Sequence, residues 1–236
     1  MKPLGLLFQR ILSAVSVSGI RSMFILRKGL ASRKPRDPFG AIEDFTKAIE
    51  LNPRNAKAFH ARGQAKAELG DLFSAVEDFT RAIRLRPAYT DAYYNRGNAY
   101  FQLNEFQLAS KDLEKVLQMD AHYADALFMR GNARYKLNDL MGALKDYSDA
   151  LKADPNDAIL YYNRGNIKLQ LEDLNGALHD LNNAVRLDPS YVSAYLARGN
   201  VKLAMGSKSG ATIDWAKAET LRKKSTTAQP SIDTAG

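Results

Sequence analysis

The chain has 236 residues, of which 45% are apolar and 25% are charged, a composition typical of a folded globular protein. It contains no cysteine, which excludes disulfides, thiol redox chemistry and thiolate metal sites. The net charge is +8, but eight basic and no acidic residues precede Asp37, whereas the stretch 37–221 carries 23 basic and 25 acidic side chains. This near-neutral body argues against a nucleic-acid-binding groove, which needs a basic stripe.

The first 21 residues, MKPLGLLFQRILSAVSVSGIR, are apolar, basic, rich in serine and free of acidic residues. The longest uncharged run in this segment has ten residues, whereas a membrane-spanning helix needs about 20. Arg10 and Arg21 fall on the same side of a helix, so the segment is amphipathic. These features predict a leader at 1–21 that directs the protein to the mitochondrion. The alternatives are a cytoplasmic protein whose leader packs on the first repeat, and an anchor that makes peripheral contact with a membrane surface.

Beyond the leader, the chain repeats with a period of 34 residues. The recurring glycines are Gly29, Gly63, Gly97, Gly131, Gly165 and Gly199. The recurring alanines are Ala41, Ala75, Ala109, Ala143, Ala177 and Ala211. A large apolar residue follows each alanine by four: Phe45, Phe79, Leu113, Tyr147, Leu181 and Trp215. A fixed period of this length indicates stacked supersecondary units.

The residue pattern of each repeat predicts a helix, a turn and a second helix. Positions are counted so that Thr90 is position 1 of the repeat 90–123; Tyr93, Gly97 and Tyr100, at positions 4, 8 and 11, then form the packed stripe of the first helix. The turn carries Gly or Asn, which ends the first helix, and then Asp or Glu, which caps the second. On the second helix, small residues at positions 20 and 27 allow close approach and the bulky residue at 24 fills the gap.

This pattern resembles the tetratricopeptide repeat (TPR), a 34-residue helix–turn–helix with an aromatic residue, Leu-Gly and Tyr in its first helix and Ala, an aromatic residue, Ala and Pro in its second. The resemblance covers about residues 22–223. It implies an all-α fold, a right-handed α-solenoid of stacked helix-turn-helix units. It also implies that the first helices of successive units line a concave groove.

The period sets the predicted domain boundaries. A degenerate first unit occupies 22–55; its first helix is either a terminal cap or part of a cleaved leader, and Asp37-Pro38 predicts the start of its second helix. Four full units follow at 56–89, 90–123, 124–157 and 158–191. A terminal unit at 192–223 ends in a capping helix, 209–221, with Trp215 facing inward. We predict a disordered tail at 224–236.

One departure from the family pattern is a cation where the family has Leu before the glycine. These cations are Lys28, Arg62, Arg96, Arg130, Arg164 and Arg198. Every unit also has an aspartate at position 23: Asp44, Asp78, Asp112, Asp146, Asp180 and Asp214. We predict a ladder of ion pairs that fixes the register of the two helices, since a ligand-binding role would need the arginines free of the aspartates.

Positions 2, 5, 9 and 12 of the first helices share one face and are predicted to line the groove. The predicted partner-binding residues are His60, Gln64, Tyr94, Asn98, Phe101, Phe128, Asn132, Tyr135, Tyr162, Asn166 and Asn200. Carboxamides offer a donor and an acceptor to a peptide backbone, and aromatic rings bury side chains, so this row suits an extended peptide. The alternative is that the position-9 amides only satisfy neighbouring groups of their own chain.

The sequence therefore predicts a non-enzymatic adaptor or assembly factor that binds an extended peptide segment of a protein partner, without nucleic acid, small-molecule substrate, cofactor or metal. No phosphate-binding loop, HExxH motif or nucleophile with a base is present in the sequence. TPR proteins that grip a chaperone's terminal carboxylate use cations where this chain has Asp125, Met129, Ser193 and Ala197, which disfavours that partner. The alternative function is a structural subunit or self-associating scaffold that uses the repeat ends or the convex face.

Overall fold

The computed structural model describes residues 22, 23, 25, 26 and 38–227, and this part of the chain consists of helices and short turns. Its eleven helices from Pro38 onward are α1 (Pro38–Leu51), α2 (Ala56–Glu68), α3 (Leu72–Leu85), α4 (Thr90–Gln102), α5 (Phe106–Met119), α6 (Ala124–Lys136), α7 (Leu140–Ala153), α8 (Ala158–Gln170), α9 (Leu174–Leu187), α10 (Val192–Ala204) and α11 (Lys208–Thr227). The predicted all-α class of stacked helix pairs is confirmed. The leader at 1–21 lies outside the described residues, so its targeting and anchoring roles stay predictions.

The chain forms two compact units, Met1–Ala121 and His122–Gly236, each built in the same way. Within each unit, every helix packs on the helices that precede and follow it. First helices of consecutive repeats also contact each other directly, α2 with α4 in one unit and α8 with α10 in the other. The first helices therefore form a continuous side of each stack, which is where the sequence places the candidate groove residues.

Glycine at position 8 lets the two helices of a repeat approach closely. A Cβ on Gly63 would lie 2.7 Å from Phe79 Cε1, so the aromatic ring occupies the space that a side chain would need. The alanines at position 20 are almost fully buried in all six repeats, and Phe79, at position 24, is 1% exposed. The predicted packing of small residues around one bulky residue is confirmed.

The turns after the first helices need a left-handed residue. Gly70 and Gly206 supply it with φ of 82° and 85°, and Asn104 and Asn138 with φ of 62°. Glu172 takes the same place with φ of 60°, although a residue with a long side chain is disfavoured there. The aspartates that follow these turns cap the second helices, as predicted: Asp71, Asp139 and Asp173 accept hydrogen bonds from the backbone N–H groups of Ser74, Gly142 and Gly176.

Residues 22, 23, 25 and 26, in the predicted first helix of the first repeat, are helical and pack against the second helix of that repeat, α1. The Ser22 hydroxyl donates to the Ala48 carbonyl oxygen at 2.7 Å and accepts from Asn55 Nδ2 at 3.0 Å. Leu26 is buried in a cluster with Ala41, Phe45 and Ala48. Helix α1 begins at Pro38, the first helical position predicted from the sequence.

Helix α11 differs from the expected 209–221 because it continues to Thr227, into the stretch expected to be a tail. Its Thr212 and Glu219 are exposed, whereas the corresponding Leu178 and Val185 of α9 pack against neighbouring repeats. The outer face of α11 is therefore polar where that of α9 is apolar. Residues 228–236 of the predicted tail lie outside the described part of the chain.

The glycine contacts make a prediction with an internal comparison. We expect Gly63→Ala to lower the free energy of unfolding by about 2 kcal/mol, since the new Cβ must displace a buried ring. Gly97→Ala should be milder, within about 1 kcal/mol, because the nearest atom, Leu113 Cγ, is 3.2 Å away and Ala favours a helix. Urea unfolding followed by circular dichroism measures both; equal losses would contradict the packing argument.

Candidate functional site

An arginine and an aspartate join the two helices of a repeat in an ion pair that we call a rung. In the first complete rung described, Arg62 donates from Nε and Nη2 to the two carboxylate oxygens of Asp78 at 2.9 and 2.7 Å. The same paired geometry recurs in Arg96–Asp112, Arg130–Asp146, Arg164–Asp180 and Arg198–Asp214. The aspartates of these rungs are at most 4% exposed. The predicted ladder is confirmed for these five pairs; Lys28 lies outside the described residues.

A second cation completes four of the rungs. The side chains at position 11, Lys66, Arg134, Lys168 and Lys202, each approach the rung aspartate to 2.8 Å. Position 11 is therefore packed, as predicted, but in these four repeats the packed side chain is a cation bound to the rung aspartate and not an apolar residue. Only Tyr100 among the described residues at this position is aromatic, and its ring lies 5.7 Å from the Arg96 guanidinium carbon, as does that of Tyr93.

Rungs also tie one repeat to the preceding one. The Nη1 group of the rung arginine donates to a side-chain oxygen at position 25 of the preceding repeat. The pairs and distances are Arg62 to Thr46 (3.1 Å), Arg96 to Thr80 (2.9 Å), Arg164 to Ser148 (3.3 Å) and Arg198 to Asn182 (3.0 Å). These guanidinium groups are therefore committed to the protein's own chain, which supports a structural role.

Two of the predicted groove residues, Gln64 and Asn98, lie together in an open pocket of about 240 Å³ between α2 and α4. Asn95 and Gln102 also line it, and we call this site the carboxamide pocket. The rest of the lining consists of Ala67, Glu68, Phe79 and Ala99. No lysine, arginine or histidine is among the lining residues, so the pocket presents uncharged donors and acceptors and one carboxylate.

The sequence predicts that His60 lines the groove, but it lies beneath the surface. It is only 8% exposed, because its ring packs between the rings of Phe79 and Tyr89, with centroid distances of 5.7 and 4.8 Å. Its Nδ1 lies 3.1 Å from Tyr89 Oη and its Nε2 lies 2.8 Å from Asn95 Nδ2. Burial lowers the pKa of His60, although the nearby Asp91 acts in the opposite direction. His60 therefore supports the carboxamide pocket from behind.

The aromatic groove residues pack partly against their own chain. In the first unit, Phe101 meets the ring of Phe106 edge-on at 5.3 Å, and Tyr94 is half-buried. In the second unit, Phe128 lies 6.3 Å from the ring of Tyr147 and Tyr162 lies 5.0 Å from that of Tyr191. Burial raises the pKa of Tyr191 to about 12, so its hydroxyl stays protonated at neutral pH.

The amides of the second unit divide between internal and open positions. Asn132 Oδ1 accepts a hydrogen bond from Tyr147 Oη at 2.6 Å, which agrees with the alternative that some position-9 amides satisfy their own chain. Asn166 is half-buried and Asn200 is exposed. The exposed Tyr135 hydroxyl accepts from Gln170 Nε2 at 2.7 Å, which links the surfaces of α6 and α8.

Sequence reasoning missed Asn95, Gln102 and the cations at position 11. Gln102 could have been found, since it lies one helical turn after Asn98 and its Nε2 reaches Asn98 Oδ1 at 3.3 Å. The basic residues at position 11 were visible in four of five repeats. Asn95 carried no such signal, because its role depends on contact with His60 of the preceding repeat.

The part of the chain that the structure describes holds no cluster of three or more histidines and carboxylates suited to a metal ion. None of its helices combines the length and apolar character that crossing a bilayer demands.

The rungs predict a large difference between two neighbouring aspartates of α7. Asp146→Asn should lower the free energy of unfolding by about 3 kcal/mol, because it leaves Arg130 and Arg134 without a buried counter-charge. Asp149→Asn removes an exposed pair with Lys152 and should cost less than about 1 kcal/mol. Urea unfolding of the two variants and the parent measures this; similar costs would mean that the rung contributes no more than a surface pair.

Acid should weaken the last rung. Burial acts to raise the pKa of Asp214, but hydrogen bonds and charges from Arg198 and Lys202 outweigh it, and the pKa lies below 3.8. The contribution to stability is therefore complete above about pH 4 and is lost as the pH falls through the folded-state pKa. The urea midpoint of the parent should fall more between pH 4 and pH 2.5 than that of Asp214→Asn. Parallel curves would show that Asp214 has no part in acid unfolding.

Comparison with known proteins places the repeats in one family. A family model described as TPR repeat matches residues 63–104, 131–171 and 165–206, and two described as Tetratricopeptide repeat match 90–123 and 45–77. No curated protein sequence matches the chain.

Several solved structures share the fold. YrrB, a TPR protein with an unusual peptide-binding site, is 24% identical with a TM-score of 0.69, and the match covers 78% of this chain and 95% of YrrB. MamA from Desulfovibrio magneticus RS-1 is 20% identical with a TM-score of 0.69, covering 75% and 98%. The pilF protein of Pseudomonas aeruginosa is 13% identical with a TM-score of 0.71, covering 87% and 94%. Because the family models match the repeats from residue 45 to residue 206 and these structures share their architecture, the chain belongs to the tetratricopeptide repeat family.

Proposed function

We propose that this protein is a non-enzymatic adaptor or assembly factor that binds an extended segment of a protein partner on the exposed side of its first helices. The observation that carries the proposal is the carboxamide pocket, in which Gln64, Asn95, Asn98 and Gln102 meet in one open site. Carboxamide groups both donate and accept hydrogen bonds, so they match the alternating N–H and C=O groups of an extended main chain. YrrB, which has the same fold, has a peptide-binding site, and this supports a peptide as the ligand.

The charge of the pocket selects the kind of segment. Glu68 is the single charged residue that lines it, and the rung arginines are held by their aspartates. No lysine, arginine or histidine lines the pocket, so it offers no charged donor to a free carboxylate. The partner segment is an internal stretch of polypeptide that is uncharged where it enters the pocket.

The second unit adds apolar contact surface. Tyr135, Ile159 and Leu203 are exposed on its first helices, with fractions of 36%, 50% and 44%. Exposed apolar side chains on one side of a protein are common at contact surfaces. Such side chains can bury the apolar residues of a bound segment.

Mitochondrial targeting by the leader at 1–21 completes the proposal. Its support is compositional: the leader is basic, rich in serine and free of acidic residues. N-terminal sequencing of the protein recovered from mitochondria would show whether the segment is removed on import.

The test is a comparison of two double variants in affinity capture. Gln64→Ala with Asn98→Ala removes two carboxamides of the pocket, whereas Gln107→Ala with Gln118→Ala removes two exposed carboxamides of the second helix α5. We expect the pocket variant to lose the captured partner and the α5 variant to retain it. For a synthetic peptide of the captured segment, the pocket variant should bind about tenfold or more weakly, since each lost hydrogen bond costs about 1 kcal/mol.

Circular dichroism and urea unfolding serve as the control for folding, because both pairs lie at accessible positions. Asn132 is left unchanged in this design, because its replacement would also remove the acceptor of the buried Tyr147 hydroxyl. Equal affinity of the two double variants for the segment would exclude the pocket as the binding site. A partner captured by both and lost on changes to the convex face would instead favour the scaffold function.

A further inference from the structure

His60 and Asn95 form a hydrogen-bonded pair directly behind the carboxamide pocket. Asn95 lines the pocket, and its Nδ2 lies 2.8 Å from His60 Nε2. On the other side of the imidazole ring, Nδ1 lies 3.1 Å from Tyr89 Oη. Both ring nitrogens are thus engaged within a buried site, and the carboxamide of Asn95 is the only one of these groups that also belongs to the pocket lining.

The contacts define the protonation of the ring. A carboxamide NH₂ group can only donate, so Nε2 must accept from Asn95 and carries no proton. In the neutral imidazole the proton is then on Nδ1, which donates to Tyr89 Oη. With one N–H of its NH₂ group held by His60, Asn95 keeps its carbonyl oxygen as an acceptor for a molecule in the pocket.

Protonation of His60 reverses this arrangement. The added proton on Nε2 would face the NH₂ group of Asn95, so two donors would oppose each other. A half-turn of the carboxamide about its χ2 angle relieves the conflict, because the carbonyl oxygen then accepts from Nε2–H. The NH₂ group becomes the part of Asn95 that is available to the pocket.

We propose that His60 sets the hydrogen-bonding character of Asn95 in the carboxamide pocket, so that Asn95 accepts from a bound segment when His60 is neutral and donates when His60 is charged. This inference rests on the proposed function of the pocket. It names the chemistry at this point of the ligand: at neutral pH the segment presents a donor to Asn95, such as a main-chain N–H. Protonation of His60 then weakens the complex.

The charged and titratable groups around His60 act on its pKa in opposite directions. Tyr89 and Asp91 face it from the start of α4, and Asp91 favours the charged ring. Helix α3 contributes the uncharged ring of Phe79, and the guanidinium of Arg86 lies 4.9 Å from the ring centre of Tyr89. On α2 itself, Glu68 lines the pocket. Burial outweighs the attraction of Asp91, so the ring is neutral at pH 7 and titrates below the usual value of about 6.5.

The first test uses the free protein and needs no ligand. ¹⁵N NMR follows the His60 ring nitrogens and the Asn95 side-chain amide, the latter assigned by its loss in Asn95→Ala, between pH 7.5 and pH 4.5. We expect a ring protonated on Nδ1 at pH 7.5, and an Asn95 amide shift that follows the His60 titration with the same midpoint. The repeat 124–157 has a phenylalanine, Phe128, at the position that corresponds to His60. In the variant His60→Phe, the Asn95 amide should not respond to pH.

His179→Gln is the matched control, since the exposed His179 also contacts an asparagine amide, with its Nε2 3.2 Å from Asn183 Nδ2. This variant should leave the Asn95 response unchanged. A proton on Nε2 at pH 7.5, or an Asn95 amide that ignores the His60 titration, would overturn the proposal whether or not a ligand is known.

The second test uses the peptide of the captured segment. Its affinity for the parent protein should fall about threefold or more as the pH is lowered from 7.5 through the His60 midpoint found by NMR, and its affinity for His60→Phe should change less than twofold over the same range. If Gln64→Ala with Asn98→Ala abolishes binding but the parent shows no pH dependence, Asn95 does not contact the ligand and the inference is wrong while the proposed function stands. If that double variant binds normally, the proposed function fails, and the link from His60 to Asn95 is decided by the NMR titration alone.

Discussion

The stack depends on a carboxylate that is buried between two helices and must be neutralised there. An isolated charge in such a place would cost several kcal/mol, so each of the five rung aspartates requires the two hydrogen bonds of its arginine. The fork of a guanidinium meets both carboxylate oxygens at once, which fixes the rotation of the first helix against the second. Its remaining N–H group reaches back to Thr46, Thr80, Ser148 or Asn182 of the preceding repeat. The same interaction therefore sets the geometry within a repeat and between repeats.

This commitment of the arginines decides what the exposed side of the first helices can bind. The rung arginines are held internally and no cation lines the carboxamide pocket, so the pocket has little to offer a phosphate or a carboxylate. Its lining offers four carboxamides and the ring of Phe79. Such groups recognise the main chain and the apolar side chains of a polypeptide. The proposed partner thus follows from the same rungs that stabilise the fold.

The sequence predicts well whatever repeats. The 34-residue period indicates the helix pairs, the packing of small residues around the bulky Phe79 and the rung of Arg62 with Asp78, because each recurs under the same constraint. It fails where a side chain's surroundings come from a different repeat. His60 shares its repeat position with Tyr94 and Phe128, and helical periodicity within one repeat places that position on the groove-facing side of the first helix. Burial comes from Tyr89 and from Asn95 of the following repeat, which helical periodicity within one unit does not reveal.

The junction between repeats is therefore where individual residues matter most. Position 5 meets the last residue of its own repeat, which begins the next first helix, as in His60 with Tyr89 and Tyr162 with Tyr191. A tyrosine at position 5, such as Tyr162, gives a contact between two phenol rings. A histidine at the same place keeps the packing but adds a second polar nitrogen, and this nitrogen reaches the pocket through Asn95. A single substitution in a uniform scaffold can in this way turn a structural contact into one that responds to a proton.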